Sequence, residues 1–219
     1  FQALVGHGNL IPVYREVLAD LETPLSAFLK VQEGPYAFLL ESVEGGEKWG
    51  RYSFLGGMPS AVVRCDRGQV TLLRNGREER LPHRDDPLEA VRGLLGGYRT
   101  VQVPGLPRFT GGWVGYFGYD VVRYFEALPD RGLKDFDLPE FFLMLYDTFL
   151  VFDNVSHTIK VVANAQVNGG KTRQAYDEAV GKIEGGINRL TQPIPIGASW
   201  NFNVQCPTSN VQRQPQDLG

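Results

Sequence analysis

The stretch that most restricts the fold runs from Phe141 to Phe152, almost continuously apolar and interrupted only at Tyr146-Asp147-Thr148. It is too short to span a bilayer, and its aromatic and β-branched content predicts a long buried strand. Asp153 to Thr158 is turn-like, and Ile159 to Val167 supplies the partner of a hairpin. Asp147 is the exception within the run, because a buried carboxylate must be paired or hydrogen-bonded. It marks either a functional group or a strand bulge satisfied by backbone N–H groups or an arginine.

Further strands follow from the same reasoning. Phe38 to Leu40 and Tyr52 to Leu55 are apolar runs joined by a polar, glycine-broken connection. Ala61 to Cys65 and Gln69 to Leu73 form a meander, with Asn75-Gly76 as a type I′ hairpin turn. Phe109 to Asp120 holds four glycines, but neither the dinucleotide nor the P-loop spacing is present, so nucleotide binding is rejected. The glycines instead let another backbone or a ring approach closely, while Trp113, Tyr116 and Phe117 supply packing area. Tyr119-Asp120 then starts a short helix.

Helices are expected in four further places. The first covers Ile11 to Asp20, capped near Asn9, with Pro12 in its first turn and Val13 and Val17 on one face. The second begins at Thr23-Pro24, a cap followed by proline. Asp85-Asp86-Pro87 opens the third, with Leu88, Val91, Leu94 and Leu95 as its stripe and Gly96-Gly97 as its stop. The fourth spans Lys171 to Leu190, with Gly185-Gly186 as a place to bend or break. The fold class is therefore α+β: a mostly antiparallel β-sheet, from residues 36 to 81 and 111 to 167, covered by helices near 11 to 32, 86 to 96 and 171 to 190. Residues 1–192 make the domain, and 193–219, rich in proline, glutamine and asparagine, read as a linker or disordered tail.

Charge and cysteine usage narrow the function. A net charge of −3 with interspersed signs excludes the basic footprint of a nucleic-acid binder or membrane-surface helix. The N-terminus lacks the layout of a secretory signal, and the chain reads as cytoplasmic. Cys65 and Cys206 fit no disulfide framework or zinc spacing and are read as free thiols. His7, His83 and His157 each sit beside turn-forming residues, which favours a structural role over catalysis.

The sharpest functional signal is Glu41-Ser42, a carboxylate and a hydroxyl directly after the apolar run ending at Leu40, with Lys48 and Arg51 close behind. Two adjacent strands would bring acid, hydroxyl and base to one end of the sheet, a set complementary to a zwitterion. The alternative is a solvated strand end. Exposed ion pairs of that kind contribute little.

The segments GNLIPVYREVLADLETPLSAFLKV, FLLESVEGGEKWGRYSFLG, GGWVGYFGYDVVRYFE and DTFLVFDNVSHTIKVVANA together resemble the N-terminal region of anthranilate synthase component I, in collinear order over about residues 1 to 192. Aminodeoxychorismate synthase component I is a close relative of the same architecture. The resemblance implies an enzyme that converts chorismate to anthranilate and pyruvate in tryptophan biosynthesis, with magnesium and a glutamine amidotransferase subunit. It places the chemistry in a C-terminal chorismate-binding domain and part of the L-tryptophan feedback site in this region. Carried onto matching positions, Leu40, Glu41 and Ser42 line the inhibitor pocket and Arg51 is its basic partner. Lys48 stays a solvated charge.

The catalytic and magnesium-binding residues of that family have no counterpart here, so no catalytic residue and no cofactor is assigned to this chain. It is expected to be one piece of a longer polypeptide and catalytically inert alone. A self-sufficient binding or interaction module without lyase activity is the other class of reading. In the first class the domain transmits tryptophan occupancy to a catalytic partner, a coupling between distinct sites.

Overall fold

In the computed structural model, residues 1–41, 50–128, 138–167 and 169–195 are described. They build two five-stranded antiparallel sheets and three α-helices. The strands are β1 (Leu10–Leu18), β2 (Phe38–Leu40), β3 (Tyr52–Gly56), β4 (Ala61–Asp66), β5 (Gln69–Arg74), β6 (Arg77–Arg80), β7 (Gly112–Phe117), β8 (Phe141–Tyr146), β9 (Thr148–Asp153) and β10 (Thr158–Gln166). The helices are α1 (Pro24–Val31), α2 (Leu88–Leu95) and α3 (Thr172–Leu190). The first sheet has the order β1-β10-β9-β3-β2 and the second β6-β5-β4-β8-β7.

The α+β class with mostly antiparallel strands holds, and the strands divide between two sheets. The apolar run of 141–152 is divided at Asp147, and its halves enter different sheets: β8 pairs with β4 and β7, β9 with β10 and β3. One uninterrupted strand would have had to serve two sheets at once. The break at Asp147 resolves this and joins the sheets covalently.

The helix expected over Ile11 to Asp20 is also corrected, since these residues form β1, paired with β10 from Leu10↔Gln166 to Leu18↔Thr158. Val13 and Val17 lie four apart, a spacing that a helix and a strand both place on one face. Ile11, Val13 and Val17 in fact follow the strand period of two. Pro12 is tolerated because β1 is an edge strand.

Other local expectations are met. Thr23 caps α1, with a reciprocal box in which its hydroxyl accepts from the Ser26 amide at 3.1 Å and Ser26 Oγ accepts from the Thr23 amide at 2.8 Å. Asn75 and Gly76 both adopt positive φ in the β5–β6 hairpin, 52° and 72°. Asp86 opens α2 by accepting from the Leu88 amide at 2.9 Å. Gly186 does not break α3: a Cβ there would lie 2.9 Å from Val161 Cγ1, so its absence lets the helix rest closely on β10. Gly115 plays the same part in β7, where a Cβ would meet the Phe142 carbonyl oxygen at 1.9 Å.

Three apolar clusters hold these layers. One lies between the first sheet and helices α1 and α3, centred on Leu55, Leu150, Phe152, Val161 and Ile183. A second packs α2, through Val91, on Val63, Leu72, Phe141 and Leu143 of the second sheet. The third joins the sheets, with Tyr146, Met144 and Val114 from the second meeting Phe38, Phe149, Val151 and Val162 from the first. Tyr146 closes it with its hydroxyl donated to the Tyr36 carbonyl at 3.2 Å.

Candidate functional site

The two apolar runs that flank the expected site do pair: Phe38 faces Gly56, Leu39 faces Leu55 and Leu40 faces Phe54 in an antiparallel ladder. β2 is the edge strand of the first sheet. Phe38 points into the core joining the two sheets, whereas Leu40, two residues on and on the same face, is 51% exposed. Glu41 follows in irregular, exposed backbone. Ser42 and Lys48 lie outside the described residues.

Arg51 stands at the same end, immediately before β3, but its partner is not Glu41. Its guanidinium donates to Asp153 at the end of β9, from Nη2 to Oδ2 at 2.8 Å and from Nε to Oδ1 at 3.1 Å. Its plane lies over the Tyr52 ring, 4.9 Å from the centroid. The Arg51 side chain is half-exposed, while that of Asp153 is 1% exposed. Arg51 is thus held in place by a buried carboxylate and keeps its other face open.

Asp153 is the residue that the sequence reading passed over. Besides Arg51, it accepts from the Val155 and Ser156 amides at 3.2 and 3.3 Å. Burial pushes its carboxyl up, but the Arg51 guanidinium and the turn amides outweigh burial and hold it at about 2. Asn154 extends the grip: its amide donates to the Arg51 carbonyl at 2.8 Å, and its Nδ2 to the Gly50 carbonyl at 3.1 Å and Ser53 Oγ at 3.3 Å. The β9–β10 turn therefore clamps residues 50–53, the segment that ends the β2–β3 connection. The signal was an Asp-Asn pair at the end of an apolar run, and its partner lies 102 residues away in sequence.

Asp147, the carboxylate flagged in sequence, is satisfied neither by backbone amides nor by an arginine. It accepts from Lys182 Nζ of α3 at 2.7 Å and from the Thr148 hydroxyl at 3.2 Å, with its side chain 30% exposed. Cys65 is buried and donates to Glu140 Oε2, which also receives the Tyr124 hydroxyl and the Gly68 amide. Burial and the adjacent carboxylate push the Cys65 thiol up to about 12, which removes its nucleophilic form at neutral pH.

No family model matches the chain. It is 44% identical over 177 residues to anthranilate synthase component 1 of Acetivibrio thermocellus, covering 80% of this chain and 35% of that protein. The protein of the same name from Pseudomonas putida is 41% identical over 201 residues, with coverages of 88% and 38%. That of Mycolicibacterium smegmatis is 38% identical over 223 residues, with coverages of 99% and 42%. Among solved structures, anthranilate synthase component I from Streptococcus pneumoniae matches in fold, with a TM-score of 0.53 and 21% identity over 82% of this chain and 37% of that one. The chain spans about two fifths of the length of the curated relatives it matches, 35 to 42%.

Proposed function

We propose that this chain, a relative of anthranilate synthase component 1, is the regulatory N-terminal part of such a synthase and supplies one wall of an L-tryptophan feedback site. The observation that carries the reading is the pairing of β2 with β3, which sets the exposed Leu40, Glu41 and the clamped Arg51 at one end of one sheet. Leu40 offers apolar surface to an indole ring, Glu41 a carboxylate to an ammonium, and the open face of Arg51 a cation to a carboxylate. Ser42 completes the set by its position in the LLES motif.

Formation of anthranilate from chorismate, with a glutamine amidotransferase as ammonia donor, belongs in this reading to the rest of the longer polypeptide and its partner. So does magnesium. Among the described residues no helix is long and apolar enough to cross a membrane. The part this chain plays is binding and transmission, with residues 1–192 as the folded unit.

Calorimetric titration with L-tryptophan tests this, on the chain alone and with a separately produced chorismate-binding domain. Binding that appears, or tightens markedly, only with the second domain is expected. No binding with both proteins folded and associated would remove the inhibitor site from this chain. In the complete synthase, Ser42→Phe should raise the inhibitory tryptophan concentration by roughly tenfold or more, about 1.4 kcal/mol, with uninhibited turnover kept. An equal loss of turnover would place Ser42 in the chemistry instead.

A further inference from the structure

We propose that Tyr52 is a positioning residue of the site at the β2 end, holding the Arg51 guanidinium on the face of the first sheet that carries Leu40 and Phe54. The inference deepens the feedback reading and rests on it for the identity of the guest. The register sets the face. Leu40 pairs with Phe54 across β2 and β3, and Tyr52, two residues before Phe54, lies on the same side of β3. Tyr52 is in turn the cross-strand partner of Asp153 in β9, so the carboxylate that grips Arg51 shares that side. Arg51 itself precedes the strand, and its guanidinium lies over the Tyr52 ring where it meets Asp153.

Two contacts divide the work of fixing this guanidinium. Asp153 takes the edge formed by Nε and Nη2. A fork held only along one edge can still rock about that contact, and a ring against its face stops the motion. Nη1 makes no hydrogen bond among the described residues, which leaves it to a carboxylate on a guest. A guanidinium ordered before the guest arrives loses less freedom on binding it.

The Tyr52 ring can serve as such a platform because it is itself anchored. It stands at the end of a row of rings that runs into the core joining the sheets: Tyr52 to Phe54 at 6.3 Å between centroids, Phe54 to Phe109 at 5.3 Å and nearly perpendicular, and Phe109 to Phe149 at 5.4 Å. Phe149 is buried. The Tyr52 hydroxyl makes no hydrogen bond among the described residues, so the ring and not the hydroxyl carries the role. Phenylalanine should therefore replace Tyr52, and an aliphatic side chain should not.

Two readouts test this, one of them without any ligand. In the 219-residue chain alone, exchange of the Arg51 Nε–H with water is followed by ¹H–¹⁵N NMR, with the signal assigned by its loss in Arg51→Met. Exchange should quicken by roughly threefold or more in Tyr52→Leu and stay at the wild-type rate in Tyr52→Phe. Tyr52→Ile, a better strand former, takes the place of Tyr52→Leu if that variant fails to fold. The second readout is calorimetric titration of L-tryptophan into the chain paired with a chorismate-binding domain. Affinity should fall by roughly threefold or more in Tyr52→Leu, hold in Tyr52→Phe, and fall no further when Tyr52→Leu is added to Arg51→Met. Unchanged exchange in Tyr52→Leu overturns the inference, and so does an equal loss of affinity with and without Arg51, the mark of a merely structural ring. If the wild-type pair binds no tryptophan, the feedback reading falls, and the exchange rates alone decide whether Tyr52 positions Arg51.

Discussion

Asp147 and Asp153 lie in one apolar stretch of the chain and meet opposite fates. Asp147 sits where the chain passes from the second sheet to the first, with its carboxylate half-open and paired to Lys182 on the face of a helix. Asp153 ends β9 with 1% of its side chain exposed, held by Arg51 and two turn amides. Its carboxyl is held well below its ordinary value. The difference shows that an arginine together with backbone donors fixed by a turn makes burial of a carboxylate tolerable, whereas Asp147, held by a flexible lysine and one hydroxyl, stays nearer the surface.

The largest test of that contrast is Asp153→Ala. It leaves two turn amides without an acceptor and frees the segment 50–53 that Arg51 anchors, and should cost about 2 to 3 kcal/mol, read as a lower melting temperature or denaturant midpoint. A loss under about 0.5 kcal/mol would mean that the clamp adds nothing. In the paired chains it should also weaken tryptophan binding, because Arg51 loses its support.

Acid supplies the next test. A carboxyl whose folded value is about 2, against an ordinary 3.8, contributes stability fully present above pH 3.8 and lost as pH falls through about 2. The wild-type chain should therefore lose more stability than Asp153→Ala across that window. Parallel acid profiles for the two would remove the Arg51–Asp153 contact as the cause.

How much of this was legible in the sequence depended on range. The Thr23 cap, the Asn75-Gly76 turn and the Leu88, Val91 and Leu94 part of the α2 stripe are legible because each is encoded within a few residues, whereas Leu95, expected in that stripe, is 48% exposed. The β2–β3 pair, whose strands are joined by one connection, is legible too. β1 was misread because Val13 and Val17 satisfy both periods, and only its ladder with β10, far along the chain, decides between them. The division of the run 141–152 was hidden for the same reason: apolar content specifies burial but not which sheet receives each half. Arg51 is legible as a base at the β2–β3 end, but its partner Asp153, 102 residues away, is not encoded in spacing. The tail beyond residue 195, the Ser42 hydroxyl and Lys48 lie outside the described residues.

The smallest expected effect belongs to Asp147→Ala. Its carboxylate gives up its contacts to Lys182 and to the Thr148 hydroxyl, and the Lys182 and Asp147 side chains are both partly exposed, so solvent screens most of the attraction. The backbone contribution of this position survives the substitution, since the Asp147 carbonyl still accepts from the Asn164 amide at 2.7 Å. The loss should stay within about 1 kcal/mol and shrink further in high salt, where exposed pairs are screened. A double-mutant cycle with Lys182→Ala measures the pair itself, with a coupling near about 0.5 kcal/mol expected. Coupling above about 2 kcal/mol, insensitive to salt, would make Asp147 a buried partner like Asp153 and erase the contrast. A small, salt-sensitive value would instead assign the junction between the sheets to the backbone and the apolar cluster around Tyr146, with the charge at Asp147 serving only to keep that bend at the surface.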